Sequence, residues 1–172
     1  MPKRQRLVAL VLTGTAGAGK TSVMLELGGR LGWPALEGDA LHPPGNVAKM
    51  AAGEPLSDSD RAPWLEAIAG WIGERERQRE SSIVACSALK RAYRDVLRRG
   101  HPSVWFVRLD APAEVLADRI ANRSGHFMPA SLLPSQLAIL EDFGPDEPAT
   151  TIDARRTPGE IAEQLIEALR LD

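Results

Sequence analysis

A glycine-rich stretch of eight residues carries the clearest chemistry in this sequence. It reads Gly14-Thr15-Ala16-Gly17-Ala18-Gly19-Lys20-Thr21, which fits the pattern of a glycine, four residues of any kind, and then glycine, lysine and serine or threonine. In such a loop the backbone N–H groups face one anion, the lysine reaches the β- and γ-phosphates of a nucleotide, and the threonine hydroxyl binds Mg²⁺. The pattern therefore predicts a phosphate-binding loop.

The residues on either side of the loop favour this interpretation. An apolar run at 7–12 precedes it and predicts a buried strand. Val23, Leu27 and Leu31 follow it at four-residue intervals, which predicts a helix whose N-terminus adds its partial positive charge to the phosphate site. The alternative is a glycine-rich turn that has a lysine beside it by chance, and such a turn does not require this context.

A carboxylate also stands at the end of the second predicted strand. Segment 33–37 is short and apolar, and Asp39 follows it closely. Open α/β sheets hold ligands at the carboxyl ends of their strands, so Asp39 is a candidate to orient and deprotonate an acceptor hydroxyl. Taken by itself, the residue fits an aspartate in a turn or at a helix cap equally well.

Strand and helix patterns alternate through the rest of the chain. Further strands are predicted at 82–86, 104–109 and 150–152, and the order predicts an α/β fold with a parallel sheet and helices on both faces. The length of 172 residues, 44% of them hydrophobic, suits a single domain over 1–172. About forty residues, 39–81, separate strands two and three, which is more than a crossover requires, so we expect this region to bind substrate.

Composition limits the class of partner and the compartment. The formal net charge of −2 argues against general nucleic-acid binding. No stretch approaches the roughly 20 apolar residues of a membrane helix, and the N-terminus lacks the apolar segment of a signal peptide. The single cysteine, Cys86, cannot form an internal disulfide. We therefore expect a cytoplasmic protein that binds neither nucleic acid nor membrane.

Several blocks of sequence, in the same order, resemble the gluconokinases of the shikimate-kinase-like group. The blocks are EGDALHP at 37–43, NVAKM at 46–50, GEPLSDSDRAPWL at 53–65, CSALKRAYRD at 86–95, and the lid blocks HFM at 126–128 and LLPSQ at 132–136. Together they span nearly the whole chain and are far more specific than the phosphate loop alone. Two positions depart from the family's pattern: Glu37 replaces the usual aspartate of Asp-Gly-Asp, and Pro134 lies in the lid, where it would kink or start a helix.

The resemblance implies transfer of the γ-phosphoryl of ATP to the 6-hydroxyl of D-gluconate, with Mg²⁺, to give 6-phosphogluconate and ADP. It also implies a P-loop NTPase-type three-layer fold with a five-stranded parallel sheet, a mobile lid at 122–142 and commonly a homodimer. Two other functions stay open at this point. One is a kinase of another small acceptor, such as shikimate or a nucleoside monophosphate. The other is a nucleotide-binding switch, although the sequence lacks the Asp-x-x-Gly after a strand that switch GTPases use.

The phosphate-loop pattern and the resemblance together assign roles to individual residues. Lys20, Asp39 and Arg123 are the expected catalytic residues, and Thr21 is the expected metal ligand. ATP is expected to contact Gly14, Thr15, Ala16, Gly17, Ala18, Gly19, Lys20, Thr21, Ser22, Arg119, Arg123 and Arg155. The acceptor is expected to contact Asp39, His42, Arg61, Ser87, Ala88, Lys90 and Arg91.

Several of these residues could equally have a purely structural role. The guanidinium of Arg61 suits a substrate carboxylate, but it also lies within reach of Asp58 or Asp60 in the same turn. His42 is equally well explained as a hydrogen-bonded loop residue. Arg119 and Arg123 are four residues apart, which predicts one helix face at the entrance to the lid, or simply a basic helix end.

Overall fold

The computed structural model describes residues 6–123 and 129–172, and a parallel sheet lies at its centre. Its strands and helices, in chain order, are β1 (Ala9–Thr13), α1 (Lys20–Leu31), β2 (Ala35–Glu37), α2 (Pro44–Ala51), α3 (Asp58–Arg77), β3 (Ser82–Ala85), α4 (Arg91–Arg98), β4 (Val104–Asp110), α5 (Ala113–Ala121), α6 (Leu133–Ile139), β5 (Ala149–Asp153) and α7 (Pro158–Leu169). Short 3₁₀ helices occupy Gly38–Leu41 and Ala130–Leu132.

The five strands form one sheet in the order β2-β3-β1-β4-β5, and every neighbouring pair is parallel. The predicted five-stranded parallel sheet is therefore confirmed. Because all strands point the same way, the segments that follow β1, β2 and β3 meet at one edge of the sheet. The phosphate loop follows β1, the central strand, and so lies in the middle of that edge.

Alternation along the central strand divides the core into two layers. Leu10 and Leu12 of β1 pack in a cluster with residues of α1, α5 and α7, whereas Ala9 and Val11 pack with residues of α3 and α4. Successive side chains of a strand point to opposite faces, so a buried strand needs apolar residues at every position, as this one has. Helices therefore cover both faces of the sheet.

Local sequence explains several helix ends. The stretch Thr157-Pro158-Gly159-Glu160 has the sequence of a capping box with proline at the first helical position. The structure confirms this box at the start of α7, since the Thr157 hydroxyl accepts from Glu160 N and the Glu160 carboxylate accepts from Thr157 N. A second capping box, between Ser57 and Asp60, starts α3. Pro134 lies in the first turn of α6, where a missing N–H costs no helical hydrogen bond, so it starts this helix rather than kinking it.

One expected arrangement is wrong. Helix α5 ends at Ala121, with Asn122 as its C-cap, so Arg123 lies beyond the helix and does not share a helix face with Arg119. None of the helices in the described ranges is long and apolar enough to cross a membrane.

Candidate active site

A cavity of about 420 Å³ opens at the carboxyl edge of the sheet. It brings together most of the residues that the sequence predicts to be catalytic or to bind ATP and the acceptor. Among its lining residues are loop residues 16–22, together with Asp39, His42, Arg61, Ser87, Arg119 and Arg123. Glu37, Trp64 and Gln136 also line it, although the sequence assigned no contact to Trp64 or Gln136.

The phosphate loop holds its lysine over its own backbone. Lys20 Nζ donates to the carbonyl oxygens of Gly14 at 3.0 Å and Thr15 at 2.9 Å. Desolvation lowers the pKa of Lys20, and the nearby charges of Asp39 and Glu37 oppose that shift. Gly17 has a positive φ of 82°, and a Cβ there would lie 2.7 Å from the carbonyl oxygen of Leu116, so this position of the loop requires glycine.

Glu37 connects the end of β2 to the phosphate loop. Its carboxylate accepts a hydrogen bond from the Thr21 hydroxyl and also accepts from Asp39 N at 3.5 Å. A Cβ on Gly38 would lie 2.5 Å from the carbonyl oxygen of Ala85, so only glycine lets the chain pass the end of β3 here. The hydroxyl and the carboxylate are hard oxygen donors of the kind that Mg²⁺ prefers, and they fit a metal that takes its other ligands from phosphates and water.

Trp64 of α3 fixes the backbone and the ring next to Asp39. Its indole N–H donates to the carbonyl oxygen of Gly38 at 2.8 Å, and its ring stacks on His42 with centroids 4.1 Å apart. Nε2 of His42 lies 3.9 Å from Oδ1 of Asp39. Burial lowers the pKa of His42, the charge of Asp39 opposes this and that of Arg61 reinforces it, which together favour the neutral ring at pH 7.

Arg61 is anchored through one of its terminal nitrogens. Nη1 donates to the carbonyl oxygen of Leu56 at 2.7 Å and to the Tyr93 hydroxyl at 3.0 Å, and the guanidinium lies 5.3 Å from the centroid of the Tyr93 ring. The acidic residues that were its alternative partners pair elsewhere. Asp58 pairs with Lys90 at 3.1 Å, and Asp60 pairs with Lys49 at 3.0 Å.

Arg119 joins the phosphate loop to the segment that follows β5. Its Nη2 donates to the carbonyl oxygen of Ala154 at 2.6 Å, and its Nη1 donates to those of Gly17 at 3.3 Å and Ala18 at 3.4 Å. Arg123 lies close enough to Lys20 for its charge to lower that residue's pKa. A second cation therefore stands near the place where phosphates would bind.

Known proteins are similar to this chain over most of its length. No protein-family model matches the chain. It is 50% identical over 157 residues to the gluconokinase of Gluconobacter oxydans strain 621H, an alignment that covers 91% of this chain and 88% of that protein. The chain belongs to the gluconokinase family.

Solved structures agree with membership of the gluconokinase family. A gluconokinase from Sinorhizobium meliloti 1021 superposes with a TM-score of 0.83 at 44% identity, covering 97% of this chain and 94% of that one. A sugar kinase from Janibacter sp. HTCC2649 has a TM-score of 0.91 at 47% identity, covering 96% and 95%. Shikimate kinase from Aquifex aeolicus, at 15% identity and a TM-score of 0.65 over 95% of this chain and 96% of its own, shares the fold.

Six of the residues predicted to contact ATP or the acceptor do not line the cavity. Lys90 pairs with Asp58, Arg91 pairs with Asp146, and Arg155 pairs with Asp153 at 2.8 Å. Ala88 is buried and has a positive φ of 40°. Near Arg155, it is Ala154 and Arg156 that reach the cavity instead. Gly14 and Thr15 accept hydrogen bonds from Lys20 through their carbonyl oxygens.

Arg94 of α4, close in sequence to Lys90 and Arg91, has a structural role and does not line the cavity. It is 1% exposed and forms a buried ion pair with Glu147 at 2.7 Å. It also donates to the backbone carbonyl oxygens of residues 88, 89, 141 and 142. Arg94 therefore ties α4 to the segment that follows α6.

The lid region of the gluconokinase family lies partly outside the described residues. The first lid block, His126, Phe127 and Met128, falls in the gap at 124–128, and so do His126 and Phe127 as the expected anchors of the lid. Gln136 of α6 is described, and its side-chain oxygen accepts from Ala16 N at 2.7 Å. The sequence analysis included Gln136 in a lid block but predicted no role for it. Nothing in the residues around Gln136 indicates a partner in the phosphate loop.

Proposed function

We propose that this chain is an ATP-dependent gluconokinase that phosphorylates the 6-hydroxyl of D-gluconate and gives 6-phosphogluconate and ADP. The observation that carries the proposal is one cavity that joins a phosphate loop, the carboxylate of Asp39 and the anchored guanidinium of Arg61. These three groups correspond to the three parts of the reaction: the phosphoryl donor, the hydroxyl that accepts it, and the carboxylate that distinguishes gluconate from a neutral sugar.

Asp39 is the proposed base. As O6 of gluconate attacks the γ-phosphorus of ATP, the O6–P bond forms and the bond from that phosphorus to the bridging oxygen of ADP breaks. The proton of the hydroxyl passes to the carboxylate of Asp39. Glu37 accepts from the backbone N–H of Asp39, and this contact helps to hold the base at the end of β2.

Lys20 and Arg123 are the proposed cations that stabilise charge on the transferring phosphoryl group. In this structure Lys20 donates to two carbonyl oxygens of the loop. A bound phosphate would accept hydrogen bonds from the Lys20 ammonium in place of these carbonyl oxygens. Thr21 and Glu37 would hold Mg²⁺, whose charge neutralises the phosphates of the nucleotide when it is bound. Closure of the lid over 122–142 would exclude water from the transfer.

Arg61 is the proposed partner of the gluconate carboxylate. Both of its side-chain hydrogen bonds to described residues come from Nη1, so the edge formed by Nε and Nη2 is the one suited to a bidentate carboxylate. Contacts to Leu56 and Tyr93 hold the guanidinium before the substrate arrives, which reduces the ordering cost of binding. Lys90 and Arg91 would reach the substrate only by leaving Asp58 and Asp146, so we assign the carboxylate to Arg61.

An acceptor panel tests the function directly. ADP release with gluconate, glucose, shikimate and AMP should give the highest kcat/KM for gluconate. Glucose lacks the carboxylate and would leave Arg61 desolvated and unpaired, so it should be poorer by about 10²-fold or more. Higher activity with shikimate or AMP would overturn the gluconate assignment, and ADP release that no acceptor stimulates would favour a nucleotide switch.

A homodimer and a cytoplasmic location stay predictions from the sequence. Light scattering during gel filtration tests the homodimer, because a dimer would have twice the 18.6 kDa mass of one chain.

A further inference from the structure

The hydrogen bonds of Asn46 determine the tautomer of His42. Nδ2 of Asn46 lies 2.8 Å from the carbonyl oxygen of Asp60 and 3.3 Å from Nδ1 of His42. A backbone carbonyl only accepts, so the Asn46 atom that faces it must be the NH₂ group rather than the amide oxygen. The same NH₂ group donates its other hydrogen to Nδ1 of His42. A neutral imidazole whose Nδ1 accepts carries its proton on Nε2.

The protonated nitrogen is the one that faces the proposed base. Nε2 of His42 lies 3.9 Å from Oδ1 of Asp39, so its N–H dipole has its positive end toward the carboxylate. The distance exceeds that of a direct hydrogen bond, and the interaction is therefore electrostatic. The ring cannot rotate freely, because it is 3% exposed and stacks on Trp64 at an interplanar angle of 15°.

We propose that Asn46, acting through the Nε2–H tautomer of His42, orients the carboxylate of Asp39 toward the acceptor hydroxyl. His42 is then a positioning residue that neither gives nor takes a proton. A neutral ring restrains the orientation of the carboxylate through its N–H dipole, whereas an imidazolium would hold the carboxylate in an ion pair. This inference rests on the proposed function, in which Asp39 is the base.

Two substitutions at His42 separate its N–H group from its ring. His42→Gln keeps an amide N–H near the position of Nε2 but removes the ring, and His42→Phe keeps a ring to stack on Trp64 but removes both nitrogens. If the N–H orients Asp39, His42→Phe should lower kcat with gluconate by about tenfold or more, and His42→Gln should lower it less. A positioned base accelerates a reaction by roughly 10²- to 10⁴-fold, and the loss of its orientation should remove a part of that effect. The KM for ATP should change little in either variant.

A larger loss of kcat in His42→Gln than in His42→Phe would overturn the proposal, because a residue that serves only to pack should tolerate phenylalanine better than glutamine. His101→Gln is the matched control. Its Nδ1 contacts Glu76 at 2.6 Å and it does not line the cavity, so its kcat should stay at the wild-type value.

Nitrogen-15 NMR of the histidine side chains tests the tautomer in the unmodified protein. The chain has three histidines, and the His42→Gln and His101→Gln spectra assign the signals. The expected result is a neutral His42 at pH 7 with the proton on Nε2, and a proton on Nδ1 would overturn the proposal. If the unmodified protein does not phosphorylate gluconate, the proposed function fails instead, and the NMR result still shows whether the tautomer was assigned correctly.

Discussion

The side-chain oxygen of Gln136, on α6, accepts a 2.7 Å hydrogen bond from the backbone N–H of Ala16 in the phosphate loop. The two residues are 120 positions apart, and both are buried. A helix of the expected lid region therefore contacts the loop that would bind ATP. This contact gives a buried backbone N–H its partner.

Gln136→Ala should lower stability because it leaves the Ala16 N–H without that partner. An unsatisfied buried group costs about 1 to 3 kcal/mol in the free energy of unfolding, which corresponds to a fall in Tm of about 2 °C or more for a chain of this size. The KM for ATP should rise as the loop becomes less ordered. Thermal unfolding and steady-state kinetics measure both. Gln78→Ala, at an exposed residue that pairs with Glu74, is the control, and a Tm equal to that of the control would contradict the prediction.

Asp39→Asn should lower kcat by about 10²-fold or more and change ATP affinity much less. The amide can still hydrogen-bond to the acceptor hydroxyl but cannot take its proton. Single-turnover rates report the chemical step, and calorimetric titration reports nucleotide binding. An unchanged single-turnover rate would leave Asp39 with a structural role.

Arg61→Lys should raise the KM for gluconate by about tenfold, because an ammonium keeps the charge but loses the planar fork. The KM for ATP should stay constant. Arg75→Lys is a matched control on the same helix, since Arg75 lies over the Trp71 ring and pairs with Glu80, and it should leave both KM values unchanged. Equal effects of the two substitutions on gluconate would contradict the assignment of the carboxylate to Arg61.

Arg123→Ala and Arg119→Ala should have different effects. Loss of Arg123 should slow phosphoryl transfer by about 10³-fold if its charge acts on the transferring group. Loss of Arg119 removes hydrogen bonds to three backbone carbonyl oxygens, so it should chiefly raise the KM for ATP and lower the Tm. Rapid-quench measurement of one turnover separates the two, and a normal rate for Arg123→Ala would make that residue a surface charge of the lid.

Cys86 should resist alkylation in the folded protein. Burial raises the pKa of its thiol to about 12, so almost no thiolate is present at pH 8, and the side chain is also inaccessible. Iodoacetamide followed by mass spectrometry should show modification only after unfolding in guanidinium chloride. A folded pKa above the unfolded value also means that the thiol's contribution to stability is complete below about pH 8.5 and falls as the pH rises toward 12. Rapid alkylation of the native protein would contradict this environment.

Consecutive residues were enough to predict the phosphate loop and the capping box at α7. The loop needs only a strand before it, a helix after it and a lysine at a set position, and its anion-binding groups belong to neighbouring peptide units. The capping box between Thr157 and Glu160 likewise joins atoms three residues apart. Hydrophobic periodicity identified the alternation of strands and helices, and the blocks shared with the gluconokinase family indicated which polar residues belong to the site.

Only the tertiary structure decided which partners the charged side chains take. Lys90 and Arg91 follow the third strand, as the sequence predicted, yet their carboxylate partners lie 32 and 55 positions away in α3 and in the segment before β5. The contact of Gln136 with Ala16 and the sharing of Asn46 between His42 and Asp60 are likewise set by the packing of separate elements. Periodicity specifies which face of an element is buried, but a side chain's partner depends on which other segment packs against that face. In this chain, the sequence determined the chemistry available at the edge of the sheet, and packing determined which of those side chains reach the cavity.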